Sequence, residues 1–322
     1  MSSTTSLFPS LMREAKSQDE RDAEAELADV LDDVHHIQVS SHRLVTEAMS
    51  GGYNSTFRGS GVEFDEVREY VDGDDPRAVD WNVTARFGRL FVKRFVDERE
   101  LSLLFLLDIS ASMDGGFAAW SLRQFATRVC ACLSFAAVQN GDNIGLVAAH
   151  NEVASYLKPK KGVAQALRII RTSLSLPFQA SDCALTTGLD FVARNVRRRT
   201  VLFVVSDFLS EGWEKSMGKN AAKHDVVALR LLPPELETLP QGPLRLFDPE
   251  TGRDFIFDNS NESLRRSYQD RVAKWRRGCD AALRRAHADV VDLSLPRDPD
   301  PQAAAKPILE FFRRREMGRG RQ

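Results

Sequence analysis

Residues 101–116 read LSLLFLLDISASMDGG, and the fold turns on how they are taken. The run from Leu101 to Leu107 is too brief for a helix and apolar on both sides, which predicts a fully buried strand. Asp108 then stands at its carboxyl end, with Ser110 and Ser112 in the loop beyond. In an open parallel sheet that edge is where ligands bind. The pattern Asp-x-Ser-x-Ser puts three hard oxygen donors into one tight loop, a set suited to Mg²⁺ or a similar cation. The same residue types also cap helices and make turns, so a purely structural role is open at this point.

Outward from this stretch, strands and helices alternate. Residues 119–142 predict a long helix stopped by Asn-Gly-Asp, and 143–152 a strand that 153–162 either extends or pairs beside. Residues 163–174 and 182–196 predict helices, the second with Asp182 near its start. The stretch TVLFVVSDF (200–208) is again a buried strand ending in an aspartate, Asp207. A helix over 213–225, a strand over 226–233, a strand over 289–295 and a terminal helix over 303–316 complete the series. This order predicts an α/β fold, a doubly wound, mostly parallel sheet with helices on both faces. Pro-Glu-Thr-Gly between two alternating runs marks a β-hairpin at 244–258. In the helix that follows, Leu264, Tyr268, Val272, Trp275, Cys279 and Leu283 form one apolar stripe. Its arginine-rich opposite face reads as a solvated surface or a binding patch.

Composition bounds the function. A chain of 322 residues with 43% hydrophobic and 28% charged residues has room for a large core. A net charge of −2 supplies no global field toward nucleic acid or anionic lipid. The longest apolar runs fall short of a membrane span, and the amino terminus shows no secretion signal. Cys130, Cys132, Cys183 and Cys279 show neither Cys-x-x-Cys spacing nor a disulfide framework. These features predict a soluble cytoplasmic protein. The organisation expected is a mobile start and helix over 1–49, a β-rich subdomain over 50–100, the α/β domain over 101–316 and a basic tail over 317–322. The helix near 20–38 is expected to pack on the main body.

Asp108 and Asp207 both end buried strands, and adjacent parallel strands would bring their carboxylates to one edge. At this point the sequence resembles the von Willebrand factor type A fold with its metal-ion-dependent adhesion site. That resemblance implies a divalent cation, Mg²⁺ above all, held by Asp108, Ser110 and Ser112 from a first loop and Asp207 from a third. The second loop departs from the pattern: Cys183 occupies the threonine position, and a thiol is a soft donor poorly matched to Mg²⁺. Ser181 and Asp182 are the oxygen donors beside it.

Residues 50–100, SGGYNSTFRGSGVEFDEVREYVDGDDPRAVDWNVTARFGRLFVKRFVDERE, resemble the signature of the domain-of-unknown-function-58 family. In that family such a segment leads into a von Willebrand type A domain. Read physically, Trp81 is expected to be buried. Glu63, Arg68, Asp74, Arg77, Asp80 and Arg86, around Trp81, form either a partner-docking surface or an internal salt-bridge network.

The resemblance implies a non-enzymatic adaptor working with a MoxR-type AAA+ ATPase in chaperone-like assembly or maturation, with an acidic partner residue completing the metal shell. The alternative is a Mg²⁺-dependent phosphohydrolase or nuclease using the strand-end aspartates. A haloacid-dehalogenase-type phosphatase needs an acid two residues after its nucleophilic Asp, and that position is Ser110. No Walker loop, Gly-x-Ser-x-Gly elbow or His-Glu-x-x-His motif occurs. The basic tail has no stacking aromatics beyond Phe311 and Phe312, which read as core anchors and argue against nucleic acid.

Overall fold

The computed structural model describes residues 25, 27–32, 63–71, 74–75, 78–96, 101–115, 118, 120–177, 184–248, 253–300 and 302–319. The chain divides into two compact units, Phe57–Leu101 and Met1–Thr56 with Ser102–Gln322.

In the smaller unit, β1 (Glu63–Glu69) pairs antiparallel with β2 (Phe91–Val96), with a bulge between Phe64 and Glu66. The short helix α1 (Trp81–Phe87) lies between them in sequence. Asp80 caps it, its Oδ1 accepting from the Asn82 and Val83 amides at 3.0 and 3.3 Å. Gly88 ends it in the left-handed region (φ 67°), where a side chain would be strained. The Phe91 amide donates to Thr84 Oγ1 at 3.0 Å, which ties α1 to β2.

The larger unit holds a six-stranded sheet, built on β3 (Ser102–Asp108), β4 (Asn143–Ala149), β5 (Val153–Lys160), β6 (Val201–Ser206), β7 (Asp225–Leu232) and β10 (Asp289–Ser294), in the order 10-7-6-3-4-5. All neighbours run parallel except β5, which pairs antiparallel with β4. Residues 153–160 therefore pair beside β4 and do not extend it. The hairpin strands β8 (Pro243–Asp248) and β9 (Arg253–Asp258) pair apart from this sheet.

Helices cover both faces. On one side pack α2 (Leu122–Gln139), α3 (Val163–Ser175) and α7 (Gln302–Arg319). On the other pack α4 (Ala184–Asn195), α5 (Glu214–Ala221) and α6 (Glu262–Arg285). The doubly wound, mostly parallel α/β sheet read from the alternation is the fold of this unit. β3 and β6 are buried through almost every residue, and Phe105 stacks on Phe203 across them at 5.7 Å. Gly188 lets α4 lie close to the sheet, because a Cβ there would come within 2.3 Å of Leu106 Cδ1. The helical residues 27–32 bury Val30 against Ala131, Ile170 and Leu174.

Three sequence expectations need correction. Trp81 is 69% exposed, because α1 buries none of its residues. A unit of this size has little core to offer a large ring. The α6 stripe is only partly internal: Cys279, Ala282 and Leu283 are buried, whereas Leu264 is 42% exposed. The terminal helix runs on to Arg319, past the boundary expected at 316.

Phe311 and Phe312 are both buried, and Arg315 pairs with Asp225 at 2.9 Å and Asp289 at 3.0 Å. The end of α7 is thus bound to the amino ends of β7 and β10.

Candidate functional site

β3 and β6 are adjacent, yet the chain leaves them in opposite directions: β3 leads to β4 on one side, β6 to β7 on the other. Their carboxyl ends therefore flank a topological switch point, where open α/β sheets hold ligands. The register aligns Leu107 with Val205, so Asp108 and Ser206 come next to each other at that edge.

Asp108 is 3% exposed, and its carboxylate is held on both oxygens. Oδ1 accepts from the Ser110 amide at 2.9 Å and from Ser110 Oγ at 2.7 Å. Oδ2 accepts from Ser206 Oγ at 2.7 Å. These bonds offset the cost of taking a carboxylate out of water. Ser110 Oγ also lies 3.1 Å from Ser112 Oγ, so three oxygens of the first loop stand together.

These residues do not serve as helix caps. Ser110 precedes a 3₁₀ turn over Ala111–Asp114 but makes no side-chain cap bond to it. The long helix α2 has its own capping box in Ser121 and Gln124. The capping role open from sequence is thus filled by other residues.

Asp207, 2% exposed, directly follows Ser206, and its Oδ1 accepts from the Leu209 amide at 3.0 Å. Between them Phe208 adopts φ 58°, a left-handed conformation that costs a bulky residue on the order of 1 kcal/mol or more. Three contacts hold it there. Its amide donates to Ser206 Oγ at 2.9 Å, its carbonyl accepts from Trp275 Nε1 at 3.0 Å, and its ring meets Trp213 edge-on at 5.3 Å. Strain of this kind, held by surrounding structure, clusters at functional sites.

Arg123 braces the first loop from outside. Its Nε lies 3.0 Å from Asp114 Oδ1, and its Nη1 donates to the Leu176 carbonyl. Burial raises the Asp114 carboxyl above the ordinary carboxylate value, against the pull of Arg123.

The structure thus brings Asp108, Ser110, Ser112 and Asp207 to one edge. Ser181, Asp182 and Cys183 lie outside the described residues. Ser206 was missed by sequence reasoning; the available signal was a polar residue closing an otherwise apolar strand. Arg230 was missed as well. It is a buried arginine in register with Ser206, paired with Asp280 at 2.7 Å and Asp292 at 2.8 Å.

The charged set of the smaller unit separates into two groups. Arg68 and Asp74 form a two-pronged ion pair at 2.8 and 2.7 Å, and Asp80 caps α1. Those residues hold the unit together, whereas Trp81 and Arg86 face solvent. Arg77 and the Glu63 side chain lie outside what is described.

Residues 66–278 match the family described as protein of unknown function DUF58. The chain belongs to the DUF58 family. An uncharacterized protein of Mycobacterium tuberculosis is 31% identical over 245 residues, covering 73% of this chain and 77% of the relative. An uncharacterized protein of Mycobacterium avium is 33% identical over 136 residues, 41% of this chain and 78% of its own length. Among solved structures, this DUF58 chain is similar to the conserved hypothetical protein BatB of Bacteroides thetaiotaomicron. The TM-score is 0.44 at 16% identity, over 67% of this chain and 98% of BatB. The VWA domain of SpRpn10 aligns with a TM-score of 0.35 at 14% identity, over 65% and 94% of the two chains. Likenesses at this level carry no argument about function. Among the described residues of the DUF58 chain, no helix is long and apolar enough to cross a membrane.

Proposed function

We propose that the chain is a protein-interaction adaptor whose carboxyl-edge site binds a divalent cation and, through it, a carboxylate of a partner protein. Membership of DUF58, together with the resemblance of its signature to segments that lead into von Willebrand type A domains, supports a protein-interaction role. The observation that carries the finer reading is the cluster of Asp108, Ser110 and Ser112 oxygens beside Ser206 and Asp207.

Separations of 2.7 and 3.1 Å between those oxygens suit adjacent corners of an octahedron. For Mg²⁺ bonds of about 2.1 Å such an edge measures about 3 Å. Among the described residues no cluster of three His, Cys, Asp or Glu side chains stands together, so the hydroxyls matter. Hard hydroxyl and carboxylate donors fit Mg²⁺ and not a soft metal. Asp108, Ser110, Ser112 and Asp207 would hold the ion, and Ser206 would orient Asp108. Bound there, the octahedral ion would leave two positions open, one of them to a partner carboxylate. The partner class in this reading is a MoxR-type AAA+ ATPase. The position two residues after Asp108 is a serine, so the edge has no acid for phosphoryl chemistry there, and we place the role outside catalysis.

Calorimetric titration with Mg²⁺ tests the ion directly: wild type should bind and Asp108→Ala should not. Cys183→Thr should raise the affinity, since it replaces a soft donor by a hard one. Capture of the MoxR-type ATPase should succeed in Mg²⁺ and fail both in EDTA and with Asp108→Ala. Equal capture in EDTA would sink the metal-bridged version.

A further inference from the structure

The long helix α6 carries eight arginine and lysine residues against three acids, in a chain whose net charge is −2. At helical spacing, Arg266, Lys274, Arg277, Arg284 and Arg285 fall on the face away from the buried Cys279–Leu283 stripe, and all are exposed. Lys274, Arg277 and Arg284 make no ion pair among the described residues. Arg266 pairs with Glu262, so the uncompensated row is Lys274 to Arg284, about 15 Å long, with Asp270 one turn before it on the same face.

Its placement links it to the site. α6 follows the β8–β9 hairpin and leads through a three-residue turn into β10, so its carboxyl end stands at the amino edge of the sheet. Its 24 residues span about 36 Å, whereas the eight residues of β7 span about 26 Å. The turn after Arg285, closed by the Ala288 amide on the Leu283 carbonyl at 3.1 Å, holds its far end beside β10. The buried residues of α6 all lie toward that end. The surplus length, roughly 10 Å, therefore stands beyond the carboxyl edge that carries Asp108 and Asp207. Trp275 ties the middle of the helix to the site loop through the Phe208 carbonyl.

We propose that α6 and the carboxyl edge form one docking surface for an acidic protein segment. Its leading carboxylate goes to the Asp108 edge, and its flanking acids lie along Lys274, Arg277 and Arg284. The first half rests on the metal reading above; the α6 half does not. Charge complementarity selects an acidic occupant. A protein segment is favoured over nucleic acid because the aromatics of α6 turn inward. Tyr268 donates to the Glu235 carbonyl and Trp275 to that of Phe208, which leaves no outward ring for bases to stack on.

The test measures fluorescence anisotropy of a labelled oligoglutamate peptide against the full chain, in Mg²⁺ and in EDTA. Three proteins are compared: wild type, K274E/R277E/R284E, and the control R197E/R198E/R199E. The control changes net charge equally at exposed arginines elsewhere. Binding should weaken about tenfold or more in the α6 variant and stay within about twofold in the control. Equal losses in both variants, or none in the α6 variant, overturn the proposal. Loss with the α6 variant but no difference between Mg²⁺ and EDTA upholds the α6 surface and removes the metal bridge. Loss in EDTA alone does the reverse. A single-stranded DNA of equal charge that binds more tightly through the same residues would make this a nucleic-acid surface and overturn the acidic-protein proposal.

Discussion

At the carboxyl edge of the large sheet, Asp108 and Asp207 are buried, Asp108 accepting from a backbone amide and two hydroxyls and Asp207 from the Leu209 amide. In the unit of residues 57–101 the arrangement is reversed: Arg68 and Asp74 pair near the surface, and Trp81 and Phe87 face solvent. Scale separates the two. A six-stranded sheet with helices on both faces supplies enough apolar contact to tolerate buried charge and a strained Phe208. A two-stranded hairpin with one short helix supplies too little, and it holds its turns by capping and ion pairs instead.

The sharpest way to break this comparison is truncation of an aromatic in each region. Phe203→Ala in the sheet core should cost about 3–5 kcal/mol of unfolding free energy. Trp81→Ala should stay within about 0.5 kcal/mol, as an exposed substitution does. Urea titration reads both. A large cost for Trp81→Ala would mean that this ring is covered in solution and that the contrast fails.

A second prediction concerns His224, 3% exposed in the turn between α5 and β7, with neither ring nitrogen hydrogen-bonded among the described residues. Burial, then Lys223 and Arg199, push its pKa down to about 4. Between pH 6.5 and about 4 the unfolded chain therefore takes up a proton that the folded chain refuses. The folded state should keep its full stability above about pH 6.5 and lose up to about 3 kcal/mol as the pH falls to about 4. His224→Gln should flatten that slope in denaturation curves taken across the range. An unchanged slope would show that carboxylates, not this imidazole, set the acid limit.

A smaller expected loss sharpens the edge itself. Ser206→Ala removes the donor to Asp108 Oδ2 and should cost about 1–2 kcal/mol, with weaker Mg²⁺ binding in the same titration. Ser206→Thr, which keeps the hydroxyl, should restore both. If Ser206→Ala lowers stability but leaves Mg²⁺ binding intact, Ser206 stabilises the fold without orienting the site.

Much of this molecule was legible in the sequence because its strands are apolar runs too short for helices. LSLLFLLD and VLFVVSD predicted both central strands, and their terminal aspartates predicted the edge. Periodicity also located the main helices, since a 3.6-residue repeat survives tertiary context. The stripe of α6 misled over its first half. Spacing shows which residues share a face, not whether anything covers it.

By itself, then, the sequence determined the class of sheet, the strand-end aspartates and the family, because each is written in contiguous residues. Only the tertiary structure decided that Ser206 grips Asp108, a bond across 98 residues that depends on the register of two strands. It also decided that Ser110 is not a cap, that Trp81 is exposed, and that Trp275 of α6 bonds the Phe208 carbonyl beside the site. Each of these depends on how elements distant in the chain are packed, and local propensity is blind to the partner an element meets.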